Sequence, residues 1–548
     1  GRVRAARTAR VLRACLAALG APPRPASELD RPGSANQRAL GAPPRRASGV
    51  SARRSLRSAA FLRCLCHIQL ARLMESEMRR AGAMRHYAEA LRHFPGCIEA
   101  HACLGGIARY NASRDDLKRV EFHLATAAAL AERLYNSGAA LEGSRKGEED
   151  PALVGHELEH ANIAKQNLAL YLCQEGRDEE ACHVLDELGF DFRLGRGVLH
   201  YPLQPVTSSQ PGAPPLAPPH LLRALDGFLK PGLLGMMQAA FGQGSPFWRE
   251  HHYSFDSTGY FSYMHDMESI RGVSDDSVGG PRGALEAVIR QVYEAAAKRF
   301  PEVREATQAE WWAHCRPHQS GHQLHFDSDY IGHIDHKGET APPGESENEP
   351  ATLFPAQKRP KKVLHPLLGT VLYLSSSGVG GPTMVTDQTL GGSLAKEGWL
   401  VLPEENRLLL YPGHYLHGVV PGRGPTPDPN RRRVTFMVSF WKEKVGGKAG
   451  IKGDAPCSCR PFPGRESRFS WPALLHAPAP SGASKRPHRP LDAPAFPVGR
   501  VWEGIEGSED SDEGSGEDSD DSQEPPAPDA GEEVEEECPP YEACFQGF

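Results

Sequence analysis

The sequence predicts a multidomain fold: an α-helical region, then an all-β domain with flanking helices, between disordered ends. Three observations predict it. Apolar residues recur at helical spacing across residues 59–195. They alternate at strand spacing between Trp311 and Trp441. Both termini are biased in composition, the first towards Arg, Ala, Ser and Pro, the last towards Asp and Glu. At 548 residues the chain is long enough for more than one buried core, and no apolar run approaches the length of a transmembrane helix.

The net charge of −7 conceals an asymmetry. The stretch 503–548 holds 18 of the 69 acidic residues and no Lys or Arg, so the remainder sets 62 basic residues against 51 acidic ones. We read 503–548 as an acidic disordered tail. Residues 1–58 nearly lack acids, Glu28 and Asp30 being the exceptions, and are read as either a disordered or a targeting segment. The expected location is intracellular, cytoplasmic or organellar. The 12 cysteines are scattered, and Cys64-x-Cys66 and Cys457-x-Cys459 have no partner pair at zinc-site spacing, so reduced thiols are expected.

In the helical region, AMRHYAEALRHFPGCIEAHACLGGIARY puts Tyr87, Ala90, Leu91 and Phe94 on one face, then Ala100, Leu104 and Ile107 on a second helix after Pro95. NLALYLCQEGRDEEACHVLDELGF repeats the theme with Leu168, Leu172, Gly176 and Ala181. These stretches resemble tetratricopeptide repeats, whose unit is a helix pair of about 34 residues. Residues 137–153 depart from that period. The resemblance implies a peptide-binding concave face; a helical platform packed on the next domain is the competing reading.

Residues 196–220 form a Pro-rich linker. A helical lead-in from Leu221 follows, then the aromatic SPFWREHHYSFDSTGYFSYMHDM, in part extended, and ALEAVIRQVYEAAAKRFPEV, an amphipathic helix fit to buttress a sheet. Residues 337–362, rich in Pro, Glu and Lys, read as an insertion loop, either a lid or passive.

The chemistry concentrates in HQSGHQLHFDSD. His325 and Asp327 are two residues apart, so on a strand they point to one face and can bind one metal ion together. His417, in LLLYPGHYLHGVVPG, is the candidate third ligand. Two histidines and a carboxylate form the facial triad that holds Fe(II) with positions left open. His333-x-Asp335 and His414 are rivals, set among loop and turn residues. In RRRVTFMVSFW, alternation puts Arg433, Thr435, Met437 and Ser439 on one face, with Arg431 and Arg432 as rival cations.

Five blocks in order, LRALDGFLKPGLLGMMQAAF, GHQLHFDSD, LGTVLYLSSSGVGGPTMVTD, LLLYPGHYLHGVVPG and RRRVTFMVSFW, resemble the Fe(II)/2-oxoglutarate-dependent dioxygenases, in particular their prolyl-hydroxylase-like branch. The resemblance implies a double-stranded β-helix (jelly roll, cupin-like) over residues 221–445, and a C-terminal extension over 446–502 whose islands ESRFSWPALL and PVGRVWEGI pack back. It implies His325, Asp327 and His417 as catalytic metal ligands, and Arg433, Thr435 and Tyr373 on the distal carboxylate of 2-oxoglutarate. The cofactors implied are Fe(II), 2-oxoglutarate, O2 and ascorbate as reductant. The reaction implied is hydroxylation of a C–H bond, on a prolyl or other side chain of a protein docked on the helical repeats. Three features depart from the family: a longer loop between His417 and Arg433, the distance of Arg433 from Trp441, and His318 where relatives carry Tyr. The alternative is a silent helical-repeat scaffold with a cupin-like binding domain. No membrane partner is expected, and no aromatic–basic interleaving favours nucleic acid.

Overall fold

The computed structural model describes residues 8, 10–16, 59–76, 79–110, 113–141, 151–203, 216–251, 253, 262–272, 283–331, 362–375, 378–426, 428, 430–442, 459–460, 462–463, 468–475, 490–505 and 543–547. Between residues 59 and 186 the described elements are helices: α1 (Ala59–Ser76), α2 (Arg80–His93), α3 (Ile98–Arg109), α4 (Arg114–Leu141), α5 (Pro151–Glu175) and α6 (Asp178–Asp186). Local chemistry sets their ends. Phe94, which precedes Pro95, is extended at φ −142° and stops α2. Ser113 and Asp116 bond each other's backbone N–H at 3.2 Å in a reciprocal cap that starts α4. Gly176 at φ +76° turns the chain from α5 into α6. The lengths run from 9 to 28 residues, so an even repeat is not kept.

Strands and short helices follow: β1 (Phe192–Leu194), α7 (Arg196–Leu199), β2 (Arg223–Asp226), α8 (Pro231–Phe241), α9 (Pro246–Glu250), β3 (Ser262–Asp266), α10 (Met267–Arg271) and α11 (Gly283–Ala297). Next come β4 (Gln308–Arg316), β5 (His322–His325), β6 (Asp329–Ile331), β7 (Lys362–Leu364), β8 (Leu368–Tyr373), β9 (Thr383–Thr389), β10 (Gly398–Val401), β11 (Leu408–Pro412), β12 (Tyr415–Val419) and β13 (Arg433–Trp441). Last are β14 (Cys459–Arg460), β15 (Leu491–Asp492), β16 (Phe496–Val498), β17 (Trp502–Gly504) and β18 (Cys544–Phe545). An eight-stranded sheet runs β14-β3-β4-β13-β8-β11-β2-β15 and a five-stranded sheet β16-β10-β9-β12-β5. Their facing sides share one buried cluster, with Val371, Tyr373, Leu409, Tyr411 and Met437 from the first and Val385, Trp399 and Val401 from the second.

Alternation along β13 sorts its residues. Val434, Phe436, Val438 and Phe440 pack outward against α8 and α11, which join them in one core with Trp311. The odd-numbered residues face the space between the sheets. The outer face of the five-stranded sheet, through Leu324, Met384, Leu400 and Leu416, is buried with the helical region, including Leu168 and Leu172. The long loop after His417 is part of that junction. Arg423 donates to the carbonyls of Gln174 at 2.7 Å and Tyr201 at 2.8 Å, and Gln174 donates to Pro421 O at 3.1 Å. The helices thus form a platform against the sheet.

Three expectations are corrected. The stretch from Leu221 opens with strand β2, hydrogen-bonded to Leu408–Leu410, because Gly227 at φ +60° breaks the run and Pro231 pre-sets a later helix start. The Pro-rich linker begins with a helical turn, α7. The end of the chain is not all tail. β17 and β18 flank β1 in a three-stranded sheet because Trp502 and Phe545 are apolar and join the buried cluster. The segment 1–58 lies outside the described residues apart from 8 and 10–16, and the insertion loop apart from Lys362 in β7. Trp471 of the extension packs in the main core. Cys64 and Cys66 are free thiols. Among the described residues no helix is long and apolar enough to cross a membrane.

Trp311 sits at the centre of the outward core, fully buried, 4.7 Å from the Tyr263 ring and 5.4 Å from Phe436. Trp311→Ala should lower stability by about 3–5 kcal/mol. Urea unfolding would show it as a shifted midpoint, and a midpoint unchanged within error would place the core elsewhere.

Candidate metal centre

β5 and β12 are antiparallel neighbours in the register that puts His325 directly opposite His417, with ring centroids 4.5 Å apart. Gly418 permits that approach, since a Cβ there would stand 2.7 Å from His322 O. Asp327 lies two residues past His325 on the chain leaving β5. Its Oδ1 is 3.6 Å from His325 Nε2 and its Oδ2 is 3.8 Å from His417 Nε2. One ligand atom from each of the three lies within 4.8 Å of the others, the one such cluster among the described residues.

Surrounding groups aim these side chains. His325 Nδ1 is 2.7 Å from Gln323 O, and His417 Nδ1 is 2.9 Å from Tyr415 O. A carbonyl only accepts, so each Nδ1 carries the proton and each Nε2 keeps its lone pair for the centre. Ser439, from the opposite sheet, donates to Asp327 Oδ2 at 3.3 Å, and His365 Nδ1–H donates to Asp327 O at 2.8 Å. Burial pushes the Asp327 carboxyl up, yet His417, His325 and Ser439 together bring it down to about 2. Burial, aided by His325, drops His417 to about 4, whereas His325 is raised because the Asp327 contact outweighs burial. An ionised carboxylate beside two ε-directed imidazoles is a donor set for a divalent transition metal.

The rivals are separated by position. His414 is exposed, with its ring 4.4 Å from Tyr415, and lines a different groove. His333 and Asp335 lie outside the described residues. Of the three consecutive arginines, Arg431 and Arg432 are half-buried and Arg433 is 2% exposed.

Arg433 donates through Nη1 to Gly381 O at 3.3 Å, while its buried Nε has no hydrogen-bond partner and no carboxylate pairs with it among the described residues. Burial pulls this guanidinium down to about 10. Gly380, at φ +89°, makes room for it: a Cβ there would meet Arg433 Cδ at 2.6 Å. Thr435 is buried on the same face and pairs across strands with Tyr373. The Tyr373 hydroxyl is engaged with Thr383 Oγ1 at 2.6 Å, so the structure gives it a partner other than a ligand. His318 bolts loops together, accepting at Nδ1 from Gly380 N–H at 2.9 Å and donating from Nε2 to Arg423 O at 3.2 Å.

Sequence reasoning missed Ser439 as the carboxylate's partner, although it had placed Ser439 on the Arg433 face. It also missed His314, buried and 2.7 Å from the Tyr253 hydroxyl, and Tyr411, whose ring lies 4.7 Å from His417. Strand parity with Arg433 was the available signal for Ser439; the others needed strand pairing.

No protein-family model matches the chain, and no curated protein matches it. Among solved structures, a prolyl-4-hydroxylase of Pseudomonas putida aligns with 42% of this chain and 98% of its own, at 13% identity and a TM-score of 0.22. HygX from Streptomyces hygroscopicus, solved with nickel and 2-oxoglutarate bound, aligns with 42% of this chain and 89% of its own, at 11% identity and a TM-score of 0.20. Overlap of that degree carries no functional argument, which rests on the residues themselves.

Proposed function

We propose that the chain is an Fe(II)/2-oxoglutarate-dependent dioxygenase, a hydroxylase built on a double-stranded β-helix, with O2 as co-reactant and ascorbate as the outside reductant. The observation that carries the reading is Arg433, a guanidinium buried between the sheets with no carboxylate partner among the described residues, on the strand face that also sends Ser439 to the metal-ligand Asp327. A buried unpaired cation is costly, so it is retained where a bound anion completes it. The distal carboxylate of 2-oxoglutarate is such an anion.

In this reading His325, Asp327 and His417 hold Fe(II) through Nε2, a carboxylate oxygen and Nε2. The bound iron and 2-oxoglutarate supply the oxidising chemistry, giving succinate, carbon dioxide and a hydroxylated product. The residues of the chain bind and orient. Arg433 grips the distal carboxylate, and the Thr435 hydroxyl adds a hydrogen bond beside it. Tyr373 and Thr383, bonded to each other, fix that end of the site; a turn of either hydroxyl would bring Tyr373 to the same carboxylate. Gln323 O and Tyr415 O hold the two imidazoles in one tautomer, and Ser439 holds Asp327. The apolar walls Val371, Val385, Leu409 and Met437 exclude water. The helical platform, in this proposal a tetratricopeptide-like array, presents a protein substrate.

The test is succinate formation from 2-oxoglutarate by the purified chain with Fe(II) and ascorbate, beside His325→Ala. Iron-dependent succinate that is lost in the variant is the expected result, because uncoupled turnover does not require the prime substrate. If no succinate forms and calorimetry detects neither iron nor 2-oxoglutarate binding, the reading fails and the chain is a binding scaffold.

A further inference from the structure

A cleft of about 780 Å3 runs between the helical platform and β5, bordered by Arg109, Tyr110, Ile163, Asn167, Arg316 and His325. It reaches the metal centre through His325, and its chemistry is uneven in a way that describes a ligand.

Its charge is positive. Arg109, the last residue of α3, is 6% exposed, and its buried Nε and Nη1 have no hydrogen-bond partner. Its cation lies 5.4 Å from the Tyr110 ring, and no carboxylate pairs with it among the described residues. Arg316 adds a second positive charge, and no Asp or Glu among the described residues lines the cleft. An anion entering here would complete a buried guanidinium that the fold leaves uncompensated.

The cleft is also apolar where it opens. Ile163 is 45% and Leu390 is 52% exposed, two large aliphatic side chains in water at one site. Finally, β5 is the last strand of its sheet, and residues 321–326 line the cleft. On that strand the Leu324 N–H already donates to the side-chain carbonyl of Gln546 at 3.0 Å, so an amide oxygen is the kind of group that this wall of the cleft holds. An extended polypeptide supplies amide carbonyls, apolar side chains and a carboxylate together. A nucleic acid would bring many phosphates to two guanidinium groups and leave the aliphatic residues unmatched.

We propose that the prime substrate is a polypeptide segment seated in this cleft beside β5, with an acidic side chain paired to Arg109 and its target C–H bond beside His325. This rests on reading His325, Asp327 and His417 as the iron site. The direct test is fluorescence anisotropy of the full chain with a short labelled Glu/Leu-containing peptide, its Gln counterpart, its Lys counterpart and an oligodeoxynucleotide of equal negative charge. The Glu peptide should bind roughly tenfold or more tightly than the Gln peptide, as expected when a partly buried charge pair forms. Arg109→Leu should reduce it to the Gln level. Ile163→Asp, at an exposed position that does not threaten folding, should weaken the Gln peptide through the lost apolar contact and the Glu peptide more, by added repulsion. Equal affinity for Glu and Gln peptides, a preference that survives both substitutions, or an oligonucleotide binding as tightly as the Glu peptide would each overturn the proposal. Succinate from the unsubstituted chain, measured in parallel, separates the two readings. Iron-dependent succinate with no acidic preference defeats the substrate assignment alone, whereas an acidic preference without succinate or iron binding defeats the reaction.

Discussion

Asp327→Asn is expected to remove Fe(II) binding while leaving the fold in place. Asn has the size of Asp, can still accept from Ser439 and His365, and disturbs neither strand register. What it lacks is the charge set between two imidazoles, 3.6 Å and 3.8 Å away. Metal affinity should fall by more than the roughly 10–100-fold that losing an outer-shell partner costs, and Ser439→Ala, which removes only such a partner, should stay within that range. The charge also governs how binding depends on pH. His325 titrates above its ordinary value because the Asp327 contact outweighs burial, so it is protonated in the metal-free chain up to a higher pH than a free imidazole. A metal must displace that proton. Affinity should therefore weaken as pH falls through the raised His325 value, and binding just below it should release a proton, seen in calorimetry as a heat that varies with buffer ionisation. Asp327 remains ionised far below that range, being held at about 2. In Asp327→Asn any residual binding should lose the raised midpoint. Wild-type affinity for Fe(II) in the Asn variant would show that the triad is not the centre.

How much of this was legible beforehand follows from the range of each signal. His325 and Asp327 were visible because strand geometry is a rule of two residues. His417 was visible through its own strand context, and the structure sets it opposite His325. The odd face of β13 was readable from alternation, and the structure turns the even face towards the helices as that requires. What could not be read were matters of pairing. That LRALD is a strand depends on Leu408–Leu410 being its neighbour, and so short a stretch, with Ala224 and Leu225 between two charged residues, fits helix and strand equally until that neighbour is known. The ordered end of the acidic stretch depends on a few apolar residues, Trp502, Cys544 and Phe545, finding a core laid down more than 300 residues earlier around β1. Composition averages over such short segments. His318, noted only as a departure, is explained by two loops that it joins. Its two ring nitrogens play opposite roles at two separated points, which neutral imidazole spans and the single oxygen of a tyrosine does not.

Arg433→Leu should raise the dissociation constant for 2-oxoglutarate without harming the empty chain. Removing one partner of a buried, hydrogen-bonded charge pair costs about 2–5 kcal/mol, a loss of roughly 30-fold or more in affinity. In the free chain, by contrast, Arg433 is a buried cation with no carboxylate partner among the described residues, and an apolar replacement relieves that cost. The melting temperature of the ligand-free variant should thus stay level or rise, while the stabilisation normally given by added 2-oxoglutarate disappears. Fe(II) affinity should not change, because none of the three metal ligands bonds to Arg433. Gly380→Ala provides an independent route to the same site. At φ +89° it strains the turn, and its Cβ would drive against Arg433 Cδ, displacing the guanidinium while keeping its charge. Its 2-oxoglutarate affinity should fall between those of the wild type and Arg433→Leu. Should Arg433→Leu bind 2-oxoglutarate as the wild type does, the distal carboxylate has another partner, and the half-buried Arg431 and Arg432 would be the next residues to replace.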